Sequence, residues 1–432
     1  MKNKIIFSFN NLYIYTFFLI VCVLGNFPRL IRFDKLPNNI SLSELLLYLL
    51  GIIWILFNLR KFLNLYRFYI FLSIIISLSF MVGVVKFGFD LTAFLYATRL
   101  ILILMITSSL AIVAFEKFNN RYDLLFKRML LFYTVGLIFG FLLYIFFPKS
   151  EDLWEFLSSF GIIFKGDPHI NRFISIYFDP NFYASIGIIP ILLSLLLYNR
   201  THRYIYLVYG LLFIISIFLT VSRSGIAAFI MLFMYSLLKE LLIVFNNLII
   251  KRRLLYALTI SFLLLLLTYP IYSESLDRLI ERIVTIKSDE SAYARYLSFT
   301  FGINIIEENL FFGTGYNYLA SYMLSMGMLS SVDSSILTII CNFGIFLSII
   351  IFFIVLIFLI NLYMRVKTFK DVYLLSFIRY FYVYLIIIIF FSSNFNNILF
   401  YFFWITPVLF ILFYLSLLSK NKNLQMRDTC VH

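Results

Sequence analysis

The segment FLTVSRSGIAAF, residues 218–229, places a single arginine, Arg223, between two long uncharged stretches. Residues 204–222 hold 19 positions without a charged side chain, and residues 226–238 are uncharged as well. A bilayer core about 30 Å thick needs roughly 20 apolar residues in a helical span. The segment therefore predicts two membrane-spanning helices joined by a short turn, with a charge at a position where charge is costly.

The composition extends this interpretation to the whole chain. Its 432 residues are 63% hydrophobic, 20% aromatic and 13% charged, whereas a soluble domain is typically about 25% charged. We predict an all-α, polytopic membrane protein whose residues 1–432 form one transmembrane domain. Twelve apolar segments are candidate spans, near residues 5–26, 42–59, 68–85, 94–115, 129–147, 182–198, 204–222, 224–240, 254–272, 335–362, 373–392 and 398–418.

The net charge of +14 follows the predicted topology. If the spans alternate from a cytoplasmic N-terminus, 22 of the 35 Lys and Arg but 5 of the 21 Asp and Glu face the cytoplasm. This is the positive-inside pattern, and it predicts that both termini are cytoplasmic. The basic excess is then accounted for without a nucleic-acid partner. Three cysteines and three histidines lie without metal-ligand spacing, so we expect no disulfide and no metal site.

Two connections are long, residues 148–181 and residues 273–334, and both fall on the predicted outer side. They contain aromatic and apolar residues throughout, which favours folded loops over disorder. Apolar residues over 276–284 have helical spacing and predict an amphipathic helix. A second helix is predicted over 291–307, before a tight turn at Gly313 and Gly315.

Ionisable groups in or near a span are functional candidates, each with a structural alternative. Arg99 lies inside a span. It is either a functional residue or a structural one that extends to the interface or pairs with Asp90. Arg223, with the hydroxyls of Ser222 and Ser224, fits a phosphate or diphosphate. The alternative is an interfacial arginine that binds any lipid phosphate.

Further candidates lie in the two outer loops, namely the arginines Arg172, Arg282 and Arg295 and the carboxylates Asp179 and Asp333. Each arginine has the alternative of a solvated position, and each carboxylate the alternative of a helix cap. Asp179 in particular precedes Pro180, which suits the first turn of a helix.

Gly313 and Gly315 are a weak signal for phosphate binding, because turns commonly use glycine. Tyr296 is one of several outer tyrosines that suit a sugar ring, although tyrosine is also common in the membrane interface.

Three segments resemble the bacterial O-antigen and capsule polymerases, which form one superfamily with the O-antigen ligases. They are SRSGIAAFI (222–230), ARYLSFTFGINIIEENLFFGTGYNYL (294–319) and DSSILTIICNFGIFLSIIIFF (333–353). The resemblance implies an all-helical GT-C-like fold and a donor linked to undecaprenyl diphosphate. It also implies no metal, cofactor or nucleotide sugar, and gives Arg223 and Arg295 the role of holding the diphosphate.

The resemblance implies an enzyme of the bacterial cytoplasmic (inner) membrane with an outward-facing site, in lipopolysaccharide or capsule synthesis. Ligases of this superfamily usually carry a histidine at the end of the large loop, near the position of Asp333, and no histidine occurs between His202 and His432 here. We therefore expect a polysaccharide polymerase; the alternatives are a ligase-type transferase and a flippase of lipid-linked oligosaccharide. A chain-length regulator and a flippase are expected partners, together with membrane lipid.

The expected chemistry is one inverting displacement at the anomeric carbon. Arginines stabilise the leaving diphosphate, and Asp333 or Asp179 takes the proton of the acceptor hydroxyl.

Overall fold

The computed structural model describes residues 2–30, 41–63, 67–118, 121–162, 168–244, 290–327 and 332–420. In these residues every regular element is helical and no strand occurs; one isolated bridge pairs Lys149 with Ile170. The α-helices are, in chain order, Lys2–Phe18 (α1), Leu42–Phe57 (α2), Leu59–Leu63 (α3), Arg67–Phe87 (α4), Leu91–Phe118 (α5), Tyr122–Phe146 (α6), Ser150–Ser158 (α7), Pro180–Ile186 (α8), Ile188–Thr201 (α9), Ile205–Leu219 (α10), Arg223–Val244 (α11), Glu290–Glu308 (α12), Leu319–Ser325 (α13), Ser335–Val366 (α14), Val372–Phe390 (α15) and Phe402–Leu418 (α16).

Six helices of the described residues are long and apolar enough to cross a membrane, judged by length and composition. They are Ile70–Phe87, Leu91–Phe118, Tyr122–Phe146, Pro180–Thr201, Ser335–Val366 and Val372–Asn394. Four further predicted spans appear as apolar helices of 10–17 residues, and a fifth, at 224–240, lies within α11. The predicted span at 254–272 lies outside the described residues. The structure thus shows the multi-pass, all-helical class, with six of the twelve predicted spans at full length.

The most deeply buried helix is α16, which packs along α5 and also contacts α14 and α8. Its residues are apolar on every face, as expected for a helix surrounded by other helices. Phe410 and Tyr414 are fully buried, and Tyr414 packs edge-on against Phe126 of α6. The neighbouring pair α9 and α10 packs together, and α15 covers the other side of α9.

The two long loops are folded where the structure describes them. The first contains α7, a 3-10 turn at Ser175–Tyr177 and α8, which continues into α9. The second contains α12, which confirms the helix predicted over 291–307, and the short α13. The amphipathic helix predicted over 276–284 lies outside the described residues.

Helix α14 is broken at Gly344, whose backbone has φ +67° and ψ 173°. The break leaves the carbonyl groups of Cys341 and Asn342 without helical partners, and the turn at residues 313–315 bonds both. The Thr314 N–H donates to the Cys341 carbonyl at 2.8 Å, and the Gly315 N–H donates to the Asn342 carbonyl at 3.1 Å. The broken helix therefore holds the 313–315 turn in place.

We expect Gly344→Ala to destabilise the protein well beyond the cost of backbone strain. The backbone angles of Gly344 are essentially restricted to glycine, and a side chain there costs about 1–3 kcal/mol. The new methyl would also lie 2.3 Å from the Phe311 carbonyl oxygen. Gly327 is a matched control, because its φ is +68° and a Cβ there meets nothing within 4 Å. Thermal unfolding of both variants in detergent measures the difference; equal losses would contradict the packing role of Gly344.

Candidate functional site

The turn between α10 and α11 is built from capping hydrogen bonds. Val221 has a positive φ of 51°, and the Ser222 N–H donates to Thr220 Oγ1 at 3.1 Å. The Ser222 hydroxyl accepts from the Gly225 N–H at 3.3 Å, so it caps the start of α11. Ser222 is 1% exposed. Its hydroxyl therefore serves the fold rather than presenting an open contact to a substrate.

Arg223 is the first residue of α11, and both Arg223 and Ser224 are half-buried. The N-terminus of a helix carries a partial positive charge from its aligned peptide dipoles. A guanidinium at that position adds a full charge and a planar fork that matches phosphate oxygens. This end of α11 is consequently the strongest anion-attracting element that the turn provides. We refer to the end of the bundle where α8 and α11 begin as the arginine end.

Arg172 connects the first long loop to this turn through hydrogen bonds. Its Nε donates to the Thr220 carbonyl at 2.8 Å, Nη2 donates to Asn181 Oδ1 at 3.2 Å, and Nη1 lies 3.4 Å from His169 Nδ1. The Phe173 N–H also donates to the Leu219 carbonyl at 2.9 Å. The contacts of Arg172 thus fix the position of the residues that lead into Arg223.

Asp179 is the N-cap of α8, which confirms the capping alternative. Its Oδ1 accepts from the N–H groups of Asn181, at 2.7 Å, and Phe182, at 3.1 Å, and Pro180 occupies the first turn. Helices α8 and α11 pack together near their N-terminal ends, and a Cβ on Gly225 would lie 2.1 Å from the Cβ of Ala184. The start of α8 therefore lies beside the start of α11.

A second group forms where α12 packs on the start of α14. The Asp333 N–H donates to Ser298 Oγ at 2.9 Å. Arg295 precedes Ser298 by one helical turn, so the two residues share a face of α12. This arrangement brings Arg295 to the region of Asp333, and both side chains are half-buried. Tyr296, on a neighbouring face, is 67% exposed.

The cap of α14 is Ser334, so the capping alternative for Asp333 is wrong. The Ser334 hydroxyl accepts from the Leu337 N–H at 3.3 Å. Asp333 lies one residue earlier, just outside the helix.

The N–H groups of the Gly313–Gly315 turn donate hydrogen bonds to protein carbonyls. Besides the bonds of Thr314 and Gly315, the Gly313 N–H donates to the Asn309 carbonyl at 3.0 Å. A Cβ on Gly315 would lie 2.4 Å from the backbone of Gly83 in α4. These amides are bonded to protein carbonyls, so the turn resembles a plain packed turn more than a phosphate loop.

The segment Ser392–Phe400 connects the two groups. Its first turn contacts both α11 and α14. The Ser335 hydroxyl donates to the Asn396 carbonyl at 3.0 Å, and the Thr338 hydroxyl donates to Asn397 Oδ1 at 3.1 Å. Both groups therefore lie at the arginine end. Arg282 lies outside the described residues.

A third charged group at this end was missed by the sequence interpretation. The Glu44 carboxylate is fully buried between two guanidiniums, 2.6 Å from Arg29 Nη2 and 3.0 Å from Arg99 Nε. The alternative that pairs Arg99 with Asp90 is wrong, because Arg99 pairs with Glu44 and Asp90 Oδ1 accepts from the Thr92 N–H at the start of α5. A signal was present, since an acid at the start of one span and a base inside another are natural partners in an apolar medium.

Tyr401 links this group to the first loop. Asn26 Nδ2 donates to the Tyr401 hydroxyl at 2.9 Å and also to the Tyr177 carbonyl. The Tyr401 ring stacks on Phe182, with centroids 4.1 Å apart. The Tyr401 hydroxyl in turn donates to the Tyr177 carbonyl at 3.3 Å. Tyr401 therefore connects the residues before α16 with Asn26 and the first long loop.

Comparison with known families agrees with the resemblance seen in the sequence. Residues 208–352 match the family model described as O-Antigen ligase. The matched segment contains Arg223, Arg295 and Asp333, and it ends within α14. The match supports the O-antigen polymerase and ligase superfamily. The comparison with curated proteins gave no match.

We expect Gly225→Ala to weaken the contact between α8 and α11, because overpacking costs about 1–3 kcal/mol. Ala184→Gly removes the opposing methyl, so the double variant should recover most of the stability that Gly225→Ala loses. Thermal unfolding of the two single variants and the double variant in detergent gives the coupling energy. Additive losses would show that the two helix starts do not depend on this contact.

Proposed function

From the likeness of residues 208–352 to the O-antigen ligase family, we propose that this membrane enzyme is a polysaccharide polymerase. It transfers a glycan from undecaprenyl diphosphate to the repeat unit of a second lipid-linked oligosaccharide. The proposal includes about twelve spans in one GT-C-like domain over residues 1–432, with folded outer loops at 148–181 and 273–334. Both termini are cytoplasmic, and the arginine end faces outward from the bacterial cytoplasmic membrane.

The observation that carries this proposal is the placement of Arg223. It begins a helix of 22 residues, within the family-matched segment, on a turn fixed by Arg172 and beside the start of α8. A preorganised guanidinium stabilises charge that develops during a reaction without reorganising at that moment. The arrangement supports binding of the diphosphate, with Arg295 as the second proposed contact.

The reaction is a single displacement. The acceptor hydroxyl oxygen attacks the anomeric carbon while the bond from that carbon to the diphosphate oxygen breaks. The diphosphate leaves with the bonding electrons, and its negative charge is balanced by Arg223 and Arg295 rather than by a metal ion. We assign the hydroxyl proton to the carboxylate of Asp333, which is half-buried where α14 begins and lies beside the helix that carries Arg295. The anomeric configuration inverts.

Ser224 and Tyr296 remain proposed sugar or phosphate contacts, since one is half-buried and the other exposed at this end. A ligase-type transferase is the second candidate function, because the matching family model is described as O-Antigen ligase. The lack of a histidine between His202 and His432, near Asp333 at the end of the large loop, favours the polymerase. The proposal also includes a flippase and a chain-length regulator as partners.

Deletion of the gene in its host, followed by a size profile of surface and lipid-linked glycan, tests the proposal. A polymerase predicts single repeat units on the acceptor and no long ladder. Long chains retained on the carrier lipid would identify a ligase, and repeat units held on the cytoplasmic side would identify a flippase. An unchanged profile would remove the glycan assignment altogether.

Complementation of that deletion tests Arg223. We expect Arg223→Ala to abolish the long ladder, and Arg223→Lys to fail as well where a bidentate fork is needed. Arg203→Ala is the matched control, because Arg203 is exposed at the opposite end of α10. Membrane levels of each variant are measured by immunoblot. A full ladder from Arg223→Ala at normal protein level would exclude its role.

Isosteric variants distinguish the proposed roles of Asp333 and Asp179. General base catalysis contributes about 10²–10⁴-fold, so we expect Asp333→Asn to slow polymerisation by at least about 100-fold. Asparagine is as good an N-cap as aspartate, so Asp179→Asn should retain both the fold and most of the rate. Polymerisation is followed with purified lipid-linked repeat units. The reverse pattern would move the base from Asp333 to Asp179.

A further inference from the structure

The cluster of Arg29, Glu44 and Arg99 carries one positive charge more than its carboxylate balances. Glu44 is fully buried, and the side chains of Arg29 and Arg99 are 12% and 10% exposed. The Tyr48 hydroxyl also donates to Glu44 Oε2, at 3.3 Å, so the carboxylate accepts from three residues. In an apolar interior an unbalanced charge is costly, and an anion is the partner that would offset it.

Both guanidiniums keep N–H groups beyond those that Glu44 receives. A guanidinium has five N–H donors, and Glu44 accepts from Nε and Nη2 of each arginine. Arg99 also hydrogen-bonds the Tyr48 side chain. Aromatic rings lie nearby as well, Phe403 at 5.2 Å from Arg29 and Phe402 at 5.7 Å from Arg99. The rings attract the cations and limit access of water, but they take no hydrogen bond from the Nη1 groups.

The cluster lies at the arginine end, between the two groups proposed for the reaction. On one side, Phe27 packs on Phe178 at 4.9 Å, next to the Asp179 cap. On the other side lies Tyr316, which follows the Gly313–Gly315 turn. Burial raises the pKa of the Tyr316 hydroxyl, and the nearby charge of Arg99 opposes that increase. A ligand held here would be adjacent to both the first loop and the family-matched segment.

We infer that Arg29 and Arg99 form a second anion site, which binds the phosphate of a lipid-linked substrate. This inference rests on the proposed function and assigns the site to the acceptor. In that reaction the donor and the acceptor each carry a diphosphate on a polyprenyl lipid. Arg223 and Arg295 bind the donor diphosphate, and the acceptor diphosphate needs its own balancing charge while its far sugar receives the bond.

Glu44 sets the affinity of this site. The Glu44 carboxylate lies between the two guanidiniums and holds both arginines in place when no ligand is bound. The three side chains then have a net charge of +1, which attracts an anion. Replacing Glu44 by glutamine raises that charge to +2, and replacing Arg29 by glutamine lowers it to zero. The two substitutions therefore change anion affinity in opposite directions, whereas a purely structural cluster would respond to both in the same direction.

The experiment uses the full-length protein in phosphatidylcholine nanodiscs, titrated with inorganic pyrophosphate by calorimetry. We expect two sites in the wild type. Arg29→Gln should weaken one of them by at least about tenfold, as expected for a lost charge-assisted hydrogen bond, and Glu44→Gln should strengthen that same site. Arg223→Gln is the matched control, which should weaken the other site alone.

The source of the phosphate is decided by lipid competition. A few per cent of undecaprenyl phosphate in the nanodisc should block the Arg29 site, and the same amount of phosphatidylglycerol should not. Equal competition by phosphatidylglycerol would overturn the acceptor assignment in favour of an ordinary phospholipid. One pyrophosphate site that is unaffected by Arg29→Gln would overturn the inference itself.

A second variant and a kinetic measurement separate the failure of this site from the failure of the proposed function. If Glu44→Gln does not fold, Arg29→Lys replaces it, because lysine keeps the charge and should retain binding that Arg29→Gln loses. Equal binding by Arg29→Lys and Arg29→Gln would contradict the inference. Pyrophosphate binding needs no turnover, so the absence of polymerase activity would reject the proposed function without deciding this site. With active protein, Arg29→Gln should raise the acceptor KM and leave the donor KM unchanged.

Discussion

Where a helix ends or is broken in an apolar interior, some backbone N–H and carbonyl groups lose their helical partners. Water does not reach these groups, so other parts of the protein must form hydrogen bonds with them. An unsatisfied buried carbonyl or N–H costs about 1–3 kcal/mol. At the arginine end, two departures from regular helix are bonded by other segments of the chain. Arg172 bonds the Thr220 carbonyl where α10 ends, and the 313–315 turn bonds the carbonyls freed at Gly344. The loops are therefore ordered by the helices that they complete.

The same constraint applies to charge. Glu44 is fully buried, and two arginines and a tyrosine hydroxyl surround it. Arg200 and Asp371 pair at 2.7 Å where α9 ends and α15 begins. The buried cluster at the arginine end differs from this pair, because its two guanidiniums share one carboxylate. This surplus of one guanidinium is what an anionic substrate would complete, and it gives a physical reason to place the reaction there.

The sequence predicted the elements better than their contacts. Apolar runs of span length predicted the helices, and Asp179-Pro180 predicted the start of α8, because both signals are local. The partner of Arg99 was not predicted, since Glu44 lies 55 residues away and hydrophobic pattern says nothing about which spans are neighbours. The alternative that Asp333 caps α14 is wrong by one residue, because the cap is Ser334. Neighbouring polar residues are equivalent in pattern and differ only in backbone angles.

The family-matched segment is not sufficient to build this site by itself. It supplies Arg223, Arg295 and Asp333, but Arg172 fixes the turn from outside it, and Glu44 and its arginines lie in the first hundred residues. Under the proposed function, the family-matched segment holds the donor diphosphate through Arg223 and Arg295. Recognition of the second substrate is then assigned to the part of the chain outside the match. The cluster at Glu44 is located there, and its net charge is set by residues that the shared reaction does not fix.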